Sequence, residues 1–382
     1  MMRYLNPEHK LTVNCPDSAR NTNNTYDILY RYDFRDLGQA LCDLYADRDP
    51  EAPLEKRRVF IITDTNVAPL YADEVSASVT DHCFRVTKLV LPAGEKYKNT
   101  ETVNRIYEFL IENKADRSSV ILALGGGVIG DMAGFAAATY VRGIDFVQIP
   151  TTLLAQADSS IGGKTGVDVG GYKNMAGAFY MPVLVYSNIS TVRMLEKRQY
   201  LSGLAEVIKH GMILDKEYFE YLRENEEGLA GQDPEFLLDA LFRSNEIKKQ
   251  VVEQDPYEKG LRKLLNFGHT IGHAIEKDSG FTLFHGECVS IGCAGAIRIS
   301  ENRGMITADE RKEAVAFLES TGLPVRTAIP SADRILPLIK LDKKNSAGVL
   351  SFVLLKGIGN AVTCPDVSSA EITDALDYIN SK

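Results

Sequence analysis

Three of the six histidines lie within a short stretch of the chain, at positions 269, 273 and 285. His269 and His273 are four residues apart, so on a helix their imidazoles would lie on the same face. A single histidine is more often structural, but a group of this kind can bind a first-row metal ion, and Glu206 offers a carboxylate ligand. The HExxH pattern of metalloproteases is absent, because Thr270 stands where its glutamate would be. The spacing therefore predicts a zinc-like metal site without protease chemistry.

A second candidate site is a glycine-rich turn. Gly125, Gly127 and Gly130 spell GxGxxG between a predicted strand over 118–127 and a predicted helix over 131–143. In that context backbone N–H groups and a helix N-terminus could hold a pyrophosphate. The alternative is that the glycines serve tight packing alone.

The ribose of a bound dinucleotide is expected away from this turn. Asp145, the next acid at the start of a strand, is closer than the usual interval of about 20 residues to a ribose-binding acid. The candidates are Asp64 and Asn66 at the end of an earlier strand, and Glu95 or Lys98 in the segment PAGEKYK.

Residues 150–179 combine glycines with charged and polar side chains in a pattern too irregular for a predicted helix or strand. Loops of this composition often place binding groups. The polar residues concerned are Thr151, Thr152, Asp158, Lys164, Lys173 and Asn174. A flexible surface loop with solvated lysines is the alternative. Because the chain has a net charge of −9, a phosphorylated ligand would need such a local group of cations.

The first half of the chain alternates predicted strands with predicted helices. The strands are 57–64, 118–127 and 145–152, and the helices are 100–115 and 131–143. This is the βαβ order of a parallel sheet covered by helices. We therefore predict an α/β domain over 1–190, in which residues 1–25 form a loosely ordered lead-in.

The second half is predicted to be mainly helical. Long amphipathic stretches occur at 201–214, 234–252 and 308–321, and the main strand-like run is 351–357. We predict a second, mainly helical domain over 191–382, with the boundary between residues 185 and 200.

Composition excludes several classes of protein. A chain of 382 residues with 45% hydrophobic and 25% charged residues is neither disordered nor fibrous. The acidic net charge argues against binding to nucleic acid or an anionic membrane surface. The six scattered cysteines predict reduced thiols, mostly in the core. The polar N-terminus and the lack of a long apolar run predict a cytoplasmic protein.

Six motifs in this order resemble the 3-dehydroquinate synthase family: GGGVIGD, PTTLLAQADSSIGGKT, YKNMAGAFYMP, GLAEVIKHG, EKGLRKLLNFGHTIGHAIE and FHGE. The resemblance runs from about Asp64 to Lys344. It implies an N-terminal Rossmann-like NAD domain, a mainly helical C-terminal metal domain, and an active site in the cleft between them. It also implies that NAD acts catalytically and that the metal is Zn²⁺ or Co²⁺.

The resemblance also implies roles for individual residues. Glu206, His269 and His285 would bind the metal, and His273 would lie outside its ligands, near the substrate phosphate. Substrate contacts are implied for Asp158, Lys164, Asn174, Lys209, Lys248, Glu258, Arg262, Asn266, His273 and Lys344. NAD contacts are implied for Asp64, Asn66, Glu95, Lys98, Gly126, Gly127, Val128, Ile129, Gly130, Asp131, Thr151, Thr152, Lys164 and Lys173. Arg142 is similar to an arginine that reaches the neighbouring subunit's site, which implies a homodimer.

The implied reaction is a step of the shikimate pathway that converts 3-deoxy-D-arabino-heptulosonate 7-phosphate into 3-dehydroquinate and phosphate. It comprises transient oxidation by NAD, β-elimination of phosphate, reduction and an intramolecular aldol closure. Three alternatives stay open: a sister sugar-phosphate cyclase with another substrate, a metal-dependent polyol dehydrogenase, and an inactive binding protein. Arg262 and Asn266 favour a substrate with a carboxylate. The cations Arg142, Lys164 and Lys344 suit a phosphate, which a polyol dehydrogenase would not need.

Overall fold

The computed structural model describes residues 3–4, 6, 8–17, 22–82, 85–280, 282–329, 331–345 and 351–381, with the backbone alone at 17, 22, 23, 55 and 340–345. The chain forms two compact units. The sheet unit comprises residues 5–194, and the helical unit comprises residues 195–382 together with 1–4. Each unit has its own arrangement of elements.

The sheet unit is built on a mostly parallel sheet. Its strands are β1 (Lys10–Asp17), β2 (Thr22–Arg31), β3 (Arg58–Asp64), β4 (Arg85–Leu91), β5 (Val120–Gly125), β6 (Asp145–Pro150), β7 (Lys164–Val169), β8 (Tyr172–Phe179) and β9 (Leu184–Asn188). Seven of them form one sheet in the order β1-β2-β9-β6-β5-β3-β4. Only β1 runs antiparallel to its neighbour, and β7 and β8 form a separate antiparallel hairpin.

Helices cover both faces of this sheet. They are α1 (Leu37–Arg48), α2 (Asp73–Thr80), α3 (Thr100–Glu112) and α4 (Gly127–Thr139). Ile61 and Leu122 lie in an apolar cluster with residues of α1 and α2, whereas their neighbours Phe60 and Ile121 lie in a second cluster with residues of α3 and α4. Successive strand residues point to opposite faces, so a sheet covered on both sides needs strands that are apolar throughout. The predicted βαβ order is confirmed.

The predicted lead-in over residues 1–25 is wrong where the structure describes it. β1 pairs with β2 from Lys10 to Asp17, and Leu11, Val13 and Cys15 are buried. Their alternation with polar residues is a strand signal. The polar run that follows concealed it, because such composition is typical of turns.

The prediction of an irregular stretch over 150–179 is also wrong. A single turn of π-helix spans Ala155–Ser159, and β7 and β8 follow as a hairpin. Its glycines permit the close pairing of the two strands. A Cβ atom on Gly177 would lie 2.2 Å from the Thr165 carbonyl oxygen, and one on Gly166 would lie 2.8 Å from that of Ala176. These glycines therefore serve strand packing rather than loop flexibility.

The helix predicted over 131–143 begins earlier, at Gly127, and ends at Thr139. Its first turn contains two glycines, Gly127 and Gly130, which are poor helix formers and hid the true start. A 3-10 turn, Tyr140–Arg142, follows the helix.

The helical unit packs nine described helices and one small hairpin. The elements are α5 (Lys197–Leu214), α6 (Lys216–Glu224), α7 (Glu226–Ala230), α8 (Pro234–Gln254), α9 (His269–Asp278), α10 (His285–Asn302), α11 (Ala308–Ser320), α12 (Ala332–Asn345), α13 (Ser369–Tyr378), β10 (Phe352–Leu355) and β11 (Ala361–Cys364). The helices predicted over 201–214, 234–252 and 308–321 and the strand over 351–357 are confirmed. So is the fold class, an α/β part followed by a mainly helical part.

Helix α10 lies at the centre of the helical unit, in contact with α5, α9, α11 and α13. Glycines let the backbones of α9 and α10 approach closely. A Cβ atom on Gly292 would lie 2.0 Å from the Gly268 carbonyl oxygen, and one on Gly272 would lie 2.7 Å from that of Cys288. Because larger residues would force these helices apart, the glycines determine how close their N-terminal residues can come.

Of the described cysteines, Cys15, Cys288 and Cys293 are buried, and Cys42 and Cys364 are partly buried. Cys83 lies outside the described residues. Within the described ranges, no helix is both long and apolar enough to cross a bilayer.

We predict that Leu122→Ala destabilises the sheet unit by about 2–5 kcal/mol, because Leu122 is fully buried on a central strand and truncation would leave a cavity. Ile111→Ala on α3 is the matched control, since 64% of Ile111 is exposed, and it should change stability by less than about 0.5 kcal/mol. The chain has no tryptophan, so urea unfolding is followed by circular dichroism. Equal effects of the two changes would contradict the assignment of the core.

Candidate functional site

Three helices of the helical unit bring Glu206, His269 and His285 together. Glu206 lies within α5, and His269 and His285 are the first residues of α9 and α10. The Nε2 atoms of His269 and His285 lie 3.7 Å and 3.6 Å from Glu206 Oε1. One ligand atom from each residue lies within 4.8 Å of the other two. This arrangement can coordinate one metal ion.

The surroundings of Glu206 fit a cation. Its side chain is fully buried, with Lys209 Nζ against Oε2 and the Nε2 atoms of His269 and His285 facing Oε1. Burial raises the pKa of Glu206, but the Lys209 ammonium and the two imidazoles lower it well below its usual value, so the carboxylate stays ionised. An ionised carboxylate in a protein interior requires nearby positive charge. Lys209 supplies part of it, and a divalent ion would supply the rest.

Hydrogen bonding orients the His269 ring toward Glu206. Its Nδ1 atom lies 3.1 Å from the Phe267 carbonyl oxygen, which can only accept, so Nδ1 carries the hydrogen. The other nitrogen, Nε2, is thereby free to coordinate. Burial and the positive charge of Lys209 hold the pKa of His269 well below its usual value, which keeps the ring neutral as a metal ligand must be.

A second possible ligand group shares His285. One ligand atom each from His273, Glu276 and His285 also lies within 4.8 Å of the others. Burial opposes a charge on His285, yet the Glu206 and Glu276 carboxylates raise its pKa to about 9. His273 is exposed, whereas Glu276 is buried. Glu276 was missed by the sequence analysis, although its position three residues after His273 on a helix was a usable signal.

The other candidate residues of the helical unit include buried cations. Lys209 and Arg262 are each 2% exposed, and Lys248 is 3% exposed. Lys209 Nζ contacts Glu206 and donates to the Leu265 carbonyl oxygen at 2.6 Å. Lys209 is thus paired within the protein, and Lys248 and Arg262 add further buried positive charge to this unit.

An ordered loop positions Glu258, Arg262 and Asn266. The Asp255 carboxylate accepts from the backbone N–H groups of Lys259, Gly260 and Arg262 at 2.8, 2.6 and 3.0 Å. Asn266 Nδ2 donates to Glu258 Oε1 at 2.6 Å, so these two predicted residues come together. Asp255 was not predicted, and its role is to fix the loop. The side chain of Lys344 lies outside the described residues.

In the sheet unit, the glycine turn connects β5 to α4. Helix α4 has Gly126 as its N-cap, no side-chain cap and no acid in its first turn. A Cβ atom on Gly126 would lie 3.0 Å from Thr152. One on Gly127 would lie 2.9 Å from Ser159, and one on Gly130 would lie 2.6 Å from Gln148. Close packing therefore requires the glycines, as the alternative interpretation stated. The same packing leaves the first N–H groups of the helix without a side-chain acceptor, as an anion site needs.

Predicted residues gather near this turn. Lys98 Nζ lies 2.6 Å from both Asp131 Oδ2 and Asn174 Oδ1. Lys173 Nζ lies 3.3 Å from Glu95 Oε1. Burial opposes the charge on Lys98, but the Asp131 and Glu95 carboxylates raise its pKa, so it is a cation.

Asp168 joins this group and was missed by the sequence analysis. Its carboxylate accepts from the Asn174 backbone N–H at 2.8 Å, and its own N–H donates to the Lys98 carbonyl oxygen at 2.8 Å. The hairpin pairing creates these contacts. These contacts were not predicted, because the sequence indicated an irregular stretch around Asp168.

Other predicted residues lie at the carboxyl ends of the parallel strands. Asp64 ends β3, and Thr151 and Thr152 follow β6. Asp64 Oδ1 accepts from the N–H groups of Asn66 and Val67 at 2.8 and 3.1 Å, so its carboxylate also stabilises the turn. Ligands of open α/β sheets bind at this edge.

Three candidates of the sheet unit remain. Asp158 is part of the short π-helical turn, and Lys164 is an exposed residue at the start of β7. Arg142 is exposed at the end of the 3-10 turn after α4.

Three candidate residues have a left-handed backbone: Arg142 with φ 74°, Asn174 with φ 54° and Glu258 with φ 56°. This region is uncommon for residues other than glycine, and asparagine tolerates it best. Strained conformations of this kind persist where the surroundings hold them and concentrate at binding sites.

Comparison with known proteins gives the family. The model for the N-terminal part of 3-dehydroquinate synthase matches residues 88–202, and the model for its C-terminal part matches 203–345. A 3-dehydroquinate synthase of Acetivibrio thermocellus is 45% identical over 356 residues, which is 93% of this chain and 95% of that protein. The chain belongs to the 3-dehydroquinate synthase family. The resemblance drawn from the sequence motifs is confirmed.

Solved structures agree with the fold of this 3-dehydroquinate synthase family member. ValA, a 2-epi-5-epi-valiolone synthase from Streptomyces hygroscopicus subsp. jinggangensis 5008 with NAD⁺ and Zn²⁺ bound, is 28% identical with a TM-score of 0.84, covering 93% of this chain and 96% of ValA. A 2-deoxy-scyllo-inosose synthase with carbaglucose-6-phosphate, NAD⁺ and Co²⁺ is 24% identical with a TM-score of 0.82, covering 96% of this chain and 99% of that one. The latter supports the fold alone.

We predict that His269→Ala abolishes tight binding of one equivalent of Zn²⁺, whereas His273→Ala retains it. The first change removes a ligand from the group around Glu206, and the second removes an exposed residue on the same helix. Chelator competition measures both affinities. Normal affinity in His269→Ala together with a loss in Glu276→Gln would instead assign the ion to the second group.

Proposed function

We propose that this chain is a 3-dehydroquinate synthase. It converts 3-deoxy-D-arabino-heptulosonate 7-phosphate into 3-dehydroquinate and phosphate, a shikimate-pathway step in the cytoplasm. The observation that carries the proposal is the group Glu206, His269 and His285, buried or partly buried beside Lys209, in a chain of this family. The proposed cofactors are NAD and Zn²⁺ or Co²⁺, as the names of the two cyclase structures indicate for those proteins.

We propose different roles for the two units, with NAD bound by residues 1–190 and metal and substrate by residues 191–382. When bound, NAD supplies a reversible hydride acceptor and the divalent ion a Lewis acid for substrate hydroxyls. The uncapped N-terminus of α4 would hold the pyrophosphate through its N–H groups. Val128 and Ile129 belong to this first turn and would contribute backbone N–H groups.

Charge supports a doubly anionic substrate. Lys209, Lys248 and Arg262 are cationic side chains removed from solvent in a protein whose net charge is −9. The guanidinium of Arg262 already donates to the Pro256 carbonyl oxygen at 2.6 Å, which fixes the orientation of its plane. A planar guanidinium suits a carboxylate, and ammonium groups suit phosphate. Sister cyclases whose substrates lack a carboxylate would not need this arginine.

Asn266 and Glu258 are joined by a hydrogen bond beside the loop that Asp255 orders. Asn266 offers a neutral amide, and Glu258 offers an anionic carboxylate. Hydroxyl groups of a sugar acid both donate and accept, so such a pair can orient them. His273 is exposed on α9 near the ligand group, where its imidazole can donate to a phosphate oxygen. The substrate roles of Asp158, Lys164, Asn174 and Lys344 stay predictions of the resemblance.

We also propose a homodimer. Arg142 is exposed, and the hairpin of the sheet unit exposes Val169, Tyr172, Met175 and Phe179, of which Met175 is 53% exposed. Apolar side chains exposed together on a hairpin favour contact with a second chain. A closed dimer with twofold symmetry would bury them on both copies.

A mixing experiment tests whether Arg142 acts on the neighbouring subunit's site. We expect Arg142→Ala and His269→Ala to be inactive as separate homodimers. In a mixed dimer one site would combine an intact metal group with the arginine of its partner, so activity should return to at most about a quarter of normal for random assortment. Phosphate release after subunit exchange measures this. No recovery, despite mixed dimers seen by native mass spectrometry, would show that Arg142 does not act across subunits.

The reaction itself predicts phosphate release without net reduction of NAD. The protein with NAD and Zn²⁺ is given the heptulosonate phosphate, sedoheptulose 7-phosphate or glucose 6-phosphate, and free phosphate and absorbance at the NADH wavelength are followed together. We expect phosphate only from the first substrate, with His269→Ala as the inactive control. Release from one of the other two would assign a sister cyclase, and stoichiometric NADH from a polyol would assign a dehydrogenase.

A further inference from the structure

A ladder of three contacts connects α5 to the first turn of α10. Arg198, Ser202 and Glu206 are spaced four residues apart, so they lie along one face of α5. The first three residues of α10 meet them in turn: His285 faces Glu206, Gly286 contacts Ser202, and Glu287 binds Arg198. The contacts of Ser202 with Gly286 and of Arg198 with Glu287 therefore lie next to the contact between the candidate metal ligands Glu206 and His285.

The outer rung is an arginine clamp. Arg198 Nε and Nη2 lie 2.8 and 2.6 Å from the two oxygens of Glu287, and Nη2 also donates to the Thr282 carbonyl oxygen at 3.2 Å. The Arg198 guanidinium lies 4.2 Å from the centre of the Phe284 ring. Glu287 in turn accepts from the Phe284 N–H at 2.8 Å and so caps α10. The clamp thus holds Phe284, which immediately precedes His285, and Glu287, which lies two residues after it.

The middle rung fixes the distance between the helices. The Gly286 N–H donates to Ser202 Oγ at 3.0 Å, and Ser202 is buried. A Cβ atom on Gly286 would lie 2.1 Å from the Ser202 carbonyl oxygen. The start of α10 therefore lies directly against the backbone of α5, one helical turn from Glu206.

We propose that Arg198, acting through Glu287, is a positioning residue that holds His285 at coordinating distance from Glu206. This inference rests on the proposed metal site and adds to it a residue that touches neither the ion nor the substrate. An arginine with a half-exposed side chain adds little to stability by its charge. Its effect instead falls on the orientation of the first turn of α10, to which His285 belongs. Residues that orient a ligand typically change metal affinity by about 10–100-fold.

The chain contains a matched control for this clamp. Arg303 also binds, through Nε and Nη2, the glutamate that caps a helix: Glu371 accepts at 2.5 and 3.1 Å and caps α13 by accepting from the Ser368 N–H at 2.8 Å. Helix α13 carries none of the candidate metal ligands. Arg303→Met therefore breaks the same kind of contact in the same unit without touching the ligand group.

The test uses the metal-free full chain titrated with Co²⁺, whose visible spectrum reports the geometry of its ligands. We expect Arg198→Met to weaken Co²⁺ binding about 10–100-fold and to alter the spectrum, Arg198→Lys to restore part of the affinity, and Arg303→Met to match the unchanged chain. Thermal unfolding of each metal-free variant confirms that it folds. A lysine can supply the charge but not the two-pronged contact, so full rescue by Arg198→Lys would overturn the orienting role.

Other outcomes distinguish failure of the positioning role of Arg198 from failure of the metal site. If His269→Ala abolishes Co²⁺ binding while Arg198→Met leaves affinity and spectrum unchanged, the positioning role is wrong and the metal site stands. If the unchanged chain does not bind Co²⁺, or His269→Ala binds it equally well, the metal site is wrong and the positioning role is wrong with it. Equal weakening by Arg198→Met and Arg303→Met would also overturn the inference, because it would reflect general destabilisation.

Discussion

The helical unit depends on one electrostatic constraint, the buried charge of Glu206. A carboxylate that is fully buried in α5 is costly unless positive charge lies next to it. Lys209 lies one turn further along the same helix and provides the nearest cation. The imidazoles of His269 and His285 lie on the other side, and the Nε2 atoms of both rings face Glu206 Oε1. This arrangement can hold a cation beside Glu206, which is the basis of the proposed metal site.

Close helix packing is what makes this arrangement possible. His269 and His285 are first residues of α9 and α10, so their positions depend on where those helices begin and how near they lie to α5. Glycines at the contacts, among them Gly286 and Gly292, allow backbone to lie against backbone. Side chains at these positions would separate the helices and the ligands with them. The glycines of this unit are therefore part of the site, although they carry no functional group.

The sheet unit uses a different principle. Its parallel strands end at one edge, and the residues that follow them, such as Asp64 and Thr151, come together through the topology alone. Tight packing of Gly126, Gly127 and Gly130 against side chains leaves the start of α4 uncapped. Packing and ligand binding, which were alternative explanations of the glycine turn, are therefore compatible. The first is observed, and the second is part of the proposed function.

The sequence by itself determined the fold class, most of the elements and the family. The apolar strands, the helical periodicity and the ordered motifs are local patterns, and local patterns can be recognised from the sequence alone. It also predicted a metal site from the three histidines and Glu206, and the family resemblance selected Glu206, His269 and His285 as the ligands. Spacing alone favoured the pair His269 and His273, because it detects neighbours on one helix and not residues from three helices.

Only the tertiary structure decided which side chains meet. The hairpin after β6, the Asp168 contacts and the partnership of Arg198 with Glu287 join residues distant in sequence or hidden in glycine-rich stretches. Their glycines suggested loops, yet in the folded chain they permit close strand and helix contacts. The physical reason is that a glycine's role depends on which atoms pack against its Cα, and the local sequence does not reveal which atoms those are.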